Sequence, residues 1–113
     1  MALNDDKKLA VLSELATAIA ERRGAPVDQS YSAKMMARGV EKCAQKAGEE
    51  AVEFVIAAVT GNRPETAKEG ADLLYHFLVT LEVSGVSLDE VLEELKNRRG
   101  TGGLAEKASR AQT

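Results

Sequence analysis

The chain has 113 residues, 44% of them apolar and 29% charged, which is the size and make-up of one packed domain and not of a disordered segment. A net charge of −3 and an aromatic content of 4%, with no Trp, argue against non-specific nucleic-acid binding and against an aromatic platform for single strands. The single cysteine, Cys43, rules out an intrachain disulfide and suits a reducing compartment. The N-terminal residues lack a basic-then-apolar leader, and no apolar run approaches membrane-spanning length. These features predict a cytoplasmic protein with neither nucleic acid nor membrane as partner.

In chain order, Leu9, Leu12, Leu15, Ala16 and Ile19 recur at helical spacing and predict a helix from Asp5 to Arg23. Asn4 suits its N-cap, Asp5 and Asp6 its first turn, and Gly24 with Pro26 its end. After a loop over Gly24 to Gln29, Ser30 or Ser32 can cap a second helical stretch with Tyr31, Met35, Met36 and Arg38. Gly39 interrupts it, and a bend is expected there. A longer helix follows from Val40 to Val59. Val40, Ala44, Ala47, Ala51, Val55 and Ala58 form its apolar stripe, and Lys42, Lys46, Glu49, Glu50 and Glu53 an adjacent polar one. Gly48 is a poor helix former and hints at close packing or ligand approach.

Gly61 closes that helix, and Asn62 with Glu65 reads as a capping box for the next, with Pro64 in the first turn. This helix runs to Val83. Leu73, Leu74, Phe77, Leu78 and Leu81 are expected to face the core, with Glu65, Glu69, Asp72 and His76 beside them. Gly85 ends it. Ser87 with Glu90 is a second capping-box pattern, opening a last helix from Leu88 to Arg98 whose inner face carries Val91, Leu92 and Leu95. No period-two strand pattern is present. The expected class is all-α with four to five helices, in one domain over residues 1–99, followed by a flexible tail over 100–113 that contains Lys107 and Arg110.

The chemistry-bearing residues cluster on the two long helices. Glu50 and Glu53 are three apart, as are Glu69 and Asp72, so each pair shares a helix face. Opposed carboxylates repel unless a cation lies between them. An all-oxygen donor set suits a hard divalent ion, first of all Mg²⁺. The same four residues can also be a solvated acidic face. The bundle di-iron signature of Glu-x-x-His is missing, because the position three after Glu69 is Asp72. Lys42 and Lys46 lie on the carboxylate side and either bind phosphate beside a metal or pair with Glu50 one turn on. Lys34, Arg38, Arg98 and Arg99 are weaker choices of the same kind. His76 falls one turn after Asp72, either touching substrate or simply half-buried, and Cys43 reads as a small core residue.

Three segments together resemble a known family: Ser30-Tyr31-Ser32-Ala33-Lys34, Gln45-Lys46-Ala47-Gly48-Glu49-Glu50-Ala51-Val52-Glu53, and Glu69-Gly70-Ala71-Asp72-Leu73-Leu74-Tyr75-His76. They are similar to the phosphoribosyl-ATP pyrophosphatases of histidine biosynthesis, within the MazG-like superfamily of all-helical pyrophosphohydrolases. The resemblance covers most of the chain, and the tail Glu106-Lys107-Ala108-Ser109-Arg110 is of the same kind. It implies hydrolysis of phosphoribosyl-ATP to phosphoribosyl-AMP and pyrophosphate, and a homodimer that completes the helical bundle. In that reading Glu50, Glu53, Glu69 and Asp72 hold Mg²⁺, Glu49 takes the proton from the attacking water, and Lys46, Lys42, Lys34 and His76 contact substrate. Two rivals stand beside it: a house-cleaning nucleoside triphosphate pyrophosphatase of the same superfamily, and a helical dimerisation module without catalysis.

Overall fold

The computed structural model describes residues 2–99. Five helices carry about four-fifths of them: α1 (Asp5–Arg22), α2 (Tyr31–Ala37), α3 (Val40–Val59), α4 (Arg63–Ser84) and α5 (Leu88–Arg98). No strand occurs among the described residues. The all-α expectation is met, and the expected tail over residues 100–113 lies outside the described residues.

The helix ends follow local chemistry. The Asn4 side chain accepts from the Lys7 N–H at 2.8 Å, and that of Ser30 from the Ala33 N–H at 3.1 Å. At Ser87 both halves of the capping box close: Ser87 Oγ accepts from the Glu90 N–H at 3.1 Å, and the Ser87 N–H donates to Glu90 Oε2 at 2.7 Å. Asn62 Oδ1 likewise accepts from the Glu65 N–H at 3.1 Å. Between α2 and α3 the chain turns through Gly39 at φ 91°, a left-handed conformation that side chains other than glycine rarely adopt. The expected break there is real, and it sets α2 beside the start of α3.

α3 and α4 form a hairpin across the short connection 60–62, and this is the main helix pair of the protein. α1 and α2 pack against α4. Their shared core holds Ile19, Met35, Met36, Cys43, Leu78 and Val79, edged by Leu15, Ala16, Tyr75, Leu81, Val83 and Leu88. Cys43 is fully buried, as expected, and donates to the Met35 carbonyl at 3.2 Å. Burial pushes its thiol pKa up and outweighs the opposing pull of Arg38, which leaves the sulfur an unreactive packing group.

Several faces differ from those predicted. On α3 the buried residues are Cys43, Glu50 and Ala57, while Val40, Ala44, Val55 and Ala58 of the predicted stripe are exposed. A second aliphatic row, Val52, Val55, Ile56 and Val59, also faces outward. On α4, Leu74 and Phe77 are exposed and the buried residues are His76, Leu78 and Val79. On α5 no residue is buried, and Leu92 and Leu95 stand exposed. The reason is common to α3 and α4. Apolar periodicity marks what avoids water, but the α3–α4 contact is occupied partly by charged groups, which displaces aliphatic residues to the outside. Gly48 also differs, since a Cβ built there meets nothing within 4 Å. The close approach occurs at Gly70, where a Cβ would lie 3.5 Å from the Phe54 ring.

Candidate active site

Glu50 lies on the inward face of α3, opposite Glu69 and Asp72 one turn apart on α4. One carboxylate oxygen from each of Glu50, Glu69 and Asp72 lies within 4.8 Å of the others. Oxygens around a single Mg²⁺ at about 2.1 Å stand up to about 4.2 Å apart, so a slight inward movement of the side chains would suffice to share one ion. Glu53 is not among these three and is exposed, but it stands close enough to Glu69 to perturb its ionisation. Among the described residues this is the acidic convergence that the two i, i+3 pairs predicted, with three of the four expected side chains drawn together.

The electrostatics mark the seam as incomplete. Glu50 is only 6% exposed. Burial pushes its pKa up, but the Lys46 ammonium, 3.1 Å from its Oε1, outweighs that and holds the carboxyl below its usual value. Lys46 is raised in return, chiefly by that same hydrogen bond. Glu69 has no such cation. Desolvation, then the Glu50 and Glu53 carboxylates and the Asp72 charge, push its pKa up to about 6. Glu50 Oε2 and Glu69 Oε2 are both buried without a hydrogen-bond partner. Buried carboxylate oxygens are seldom left unpartnered, because each loses its water without replacement. Two carboxylates that each keep an unpartnered buried oxygen, in a seam of like charge, fit a divalent cation.

His76 is buried behind this seam, with Nδ1 also unpartnered. Desolvation lowers its pKa against the opposing pull of Glu50 and Asp72, so the ring is neutral near pH 7. It meets Tyr31 edge-on at 5.9 Å and Tyr75 edge-on at 5.0 Å between ring centroids. The Tyr75 hydroxyl is hydrogen-bonded to Ser32 Oγ, which ties α4 to α2. His76 therefore packs against both Tyr31 and Tyr75.

Beside the seam, α2 and α3 enclose a pocket of about 350 Å³ lined by Tyr31, Lys34, Met35, Arg38, Lys42, Gln45, Lys46 and Glu49. The three predicted lysines, Lys34, Lys42 and Lys46, thus meet in one place, joined by Arg38. Glu49 faces this pocket and not the carboxylate seam: its Oε1 accepts from Gln45 Nε2 at 3.2 Å, and its Oε2 lies 3.9 Å from Lys46 Nζ. Arg98 is spent elsewhere, on Glu94 at 3.1 Å. Sequence reasoning passed over Tyr31 and ranked Arg38 low. The signal for both was their spacing with Lys34 on a short helix that Gly39 turns against α3.

Comparison with known proteins identifies the family of the chain. The model of the family described as phosphoribosyl-ATP pyrophosphohydrolase matches residues 12–99. A Ruegeria pomeroyi protein named phosphoribosyl-ATP pyrophosphatase is 53% identical over 102 residues, covering 90% of this chain and 97% of its own. A protein of the same name from Cereibacter sphaeroides is 54% identical over 102 residues, covering 90% and 99%. One from Erythrobacter litoralis is 54% identical over 99 residues, covering 88% and 95%. The matched residues include every residue of the acidic seam and of the adjoining cationic pocket, and the chain belongs to the phosphoribosyl-ATP pyrophosphohydrolase family.

Proposed function

We infer that this chain hydrolyses phosphoribosyl-ATP to phosphoribosyl-AMP and pyrophosphate, a step of histidine biosynthesis. The observation that carries the reading is the convergence of the Glu50, Glu69 and Asp72 carboxylates, two of which hold a buried oxygen without a partner, beside a cationic pocket in a member of this family. Glu50, Glu69 and Asp72 would hold Mg²⁺, with Glu53 joining from the side of Glu69. Bound there, the ion neutralises charge on the phosphoryl oxygens and orients the leaving pyrophosphate.

The chain's own groups do the rest. Water attacks the α-phosphorus: its oxygen bonds to phosphorus, the bond to the bridging oxygen breaks, and pyrophosphate departs with that oxygen. Glu49 accepts the proton that the water sheds. It is exposed, and its Oε2 lies 3.9 Å from Lys46 Nζ, the ammonium that also meets Glu50, so it is available to a water molecule at the border of pocket and seam. Lys46, between seam and pocket, orders Glu50 and meets the phosphate oxygens. Lys42 and Lys34 add contacts from the pocket, and His76 acts by fixing the Tyr31 ring.

The functional unit is a homodimer. The outward row Val52, Val55, Ile56 and Val59 has the i, i+3, i+4, i+7 spacing of a packed helix face, yet Val59 is 80% exposed. Leu74 and Phe77 add a second exposed apolar pair on α4. A second copy of the hairpin would cover such surface.

Pyrophosphate release from phosphoribosyl-ATP, with and without Mg²⁺ and beside a panel of dNTPs, tests the reading. Mg²⁺-dependent turnover confined to phosphoribosyl-ATP is expected. Turnover of dNTPs alone would instead make the protein a house-cleaning pyrophosphatase with the same metal site.

A further inference from the structure

Phosphoribosyl-ATP has two anionic ends: the triphosphate, and the phosphate on the added ribose, with adenosine between them. ATP itself has only the first. Resting on the function inferred above, the question is which part of this chain distinguishes the two.

Two cavities flank the acidic seam. One, of about 250 Å³, is lined by Glu53, Ile56, Ala57, Thr60, Asn62, Glu65 and Glu69, without a Lys or Arg. The other is the α2–α3 pocket, whose rim carries Lys34, Arg38 and Lys42 beyond Lys46. None of these three makes an ion pair with a carboxylate among the described residues. Lys42 donates only to Gln45 Oε1, at 3.4 Å. In a chain with 18 acidic residues against 15 Lys and Arg, these three cations and Lys46, against Glu49 as the one carboxylate in the pocket lining, make a positive pocket on an otherwise negative background. Lys42 precedes Glu50 by eight residues. That is about 12 Å along a helix axis, so the rim is well separated from the metal-binding seam. Tyr31 belongs to both: its ring meets His76 at a steep angle, and it lines the pocket. No other aromatic residue lines the pocket.

We propose that Lys34, Arg38 and Lys42 bind the phosphoribosyl phosphate, and so select phosphoribosyl-ATP over ATP. The triphosphate lies at the seam with Lys46. The nucleoside lies across Tyr31. The second phosphate reaches the three cations. A phosphate monoester far from the metal needs direct charged donors, and an Arg flanked by two Lys supplies them.

All three cations are exposed, so replacing them leaves the core intact. The test uses Lys34→Gln, Arg38→Gln and Lys42→Gln in the full chain with Mg²⁺. It measures KM for phosphoribosyl-ATP, and inhibition by phosphoribosyl-AMP and by ATP. Each substitution is expected to raise KM and to weaken phosphoribosyl-AMP inhibition about 10-fold, the loss of one charge-assisted hydrogen bond. Inhibition by ATP should not change. Equal weakening of ATP inhibition would put the triphosphate in the pocket and overturn the proposal, as would an unchanged KM. If the parent chain fails to turn over phosphoribosyl-ATP, the inferred function fails by itself. Calorimetric binding of phosphoribosyl-AMP to parent and variants then decides the pocket: weaker binding to the variants supports it, and equal binding refutes it.

Discussion

Both faces of α3 depart from those of an ordinary surface helix, although Cys43 and Ala57 are buried as usual. Its inward face carries Glu50, fully packed, with Lys46 beside it. Its outward face carries Val52, Val55, Ile56 and Val59, all more than half exposed. Folding of one chain alone would favour the opposite arrangement, since each half-exposed aliphatic forgoes about 1 kcal/mol of burial or more and each buried charge must find a partner. The arrangement is intelligible if each face is completed by something outside the protomer: a cation for the inward face, and a second copy of the chain for the outward one.

The largest effect should come from the inward face. Glu50→Gln removes a charge from the seam while keeping its shape, and kcat/KM for phosphoribosyl-ATP should fall by about 10³-fold, the scale of losing one electrostatic contact in a reacting site. Circular dichroism should show the helices retained. Near-normal activity would return the carboxylates to the status of a solvated face.

On the outward face, Ile56→Asp places a charge in the aliphatic row, and sedimentation equilibrium should show the dimer replaced by monomer at micromolar concentration. A parent chain that is already monomeric would sever the link between the two faces.

A smaller effect concerns pH. The Glu69 carboxyl, raised to about 6 from its ordinary 4.5, binds its proton more tightly in the folded chain than in the unfolded one. Its contribution to metal-free stability is therefore fully present below pH 4.5 and lost as the pH rises through 6. The metal needs the deprotonated form, so Mg²⁺ affinity should run the other way, weakening roughly tenfold between pH 7 and pH 5. Affinity that is flat over that range would exclude Glu69 as a ligand.

The smallest effect is at Gly48, which lies on neither completed face. With nothing within 4 Å of its missing Cβ, Gly48→Ala should stabilise the chain by up to about 1 kcal/mol in urea unfolding and leave turnover intact. Loss of activity would mean that substrate passes over this position.

The contrast also explains what was legible in the sequence. Helix ends were, because they are local: Asn4, Ser30, Asn62 and Ser87 each cap a helix through a side chain three residues from its partner, and Gly39 and Gly85 stop helices by conformations few other residues adopt. The acidic pairs were legible for the same reason, since i, i+3 spacing fixes a shared face. The direction of each face was not. The apolar row of α3 could be assigned to the interior only by assuming that hydrophobic residues point inward, and here Glu50 occupies that place. Spacing put Tyr31, Lys34 and Arg38 on one short helix, but it could not foresee that α2, turned at Gly39, would bring them up to Lys42 and Lys46. That depends on packing between segments distant in the chain.

The central claim is that Glu50, Glu69 and Asp72 form a metal site, and Mg²⁺ titration calorimetry on the parent chain and on Glu50→Gln, Glu69→Gln and Asp72→Asn tests it most directly. Saturable binding to the parent, lost or much weakened in all three variants, is the predicted result. Binding that survives all three substitutions, or a parent that takes up no Mg²⁺, would contradict it.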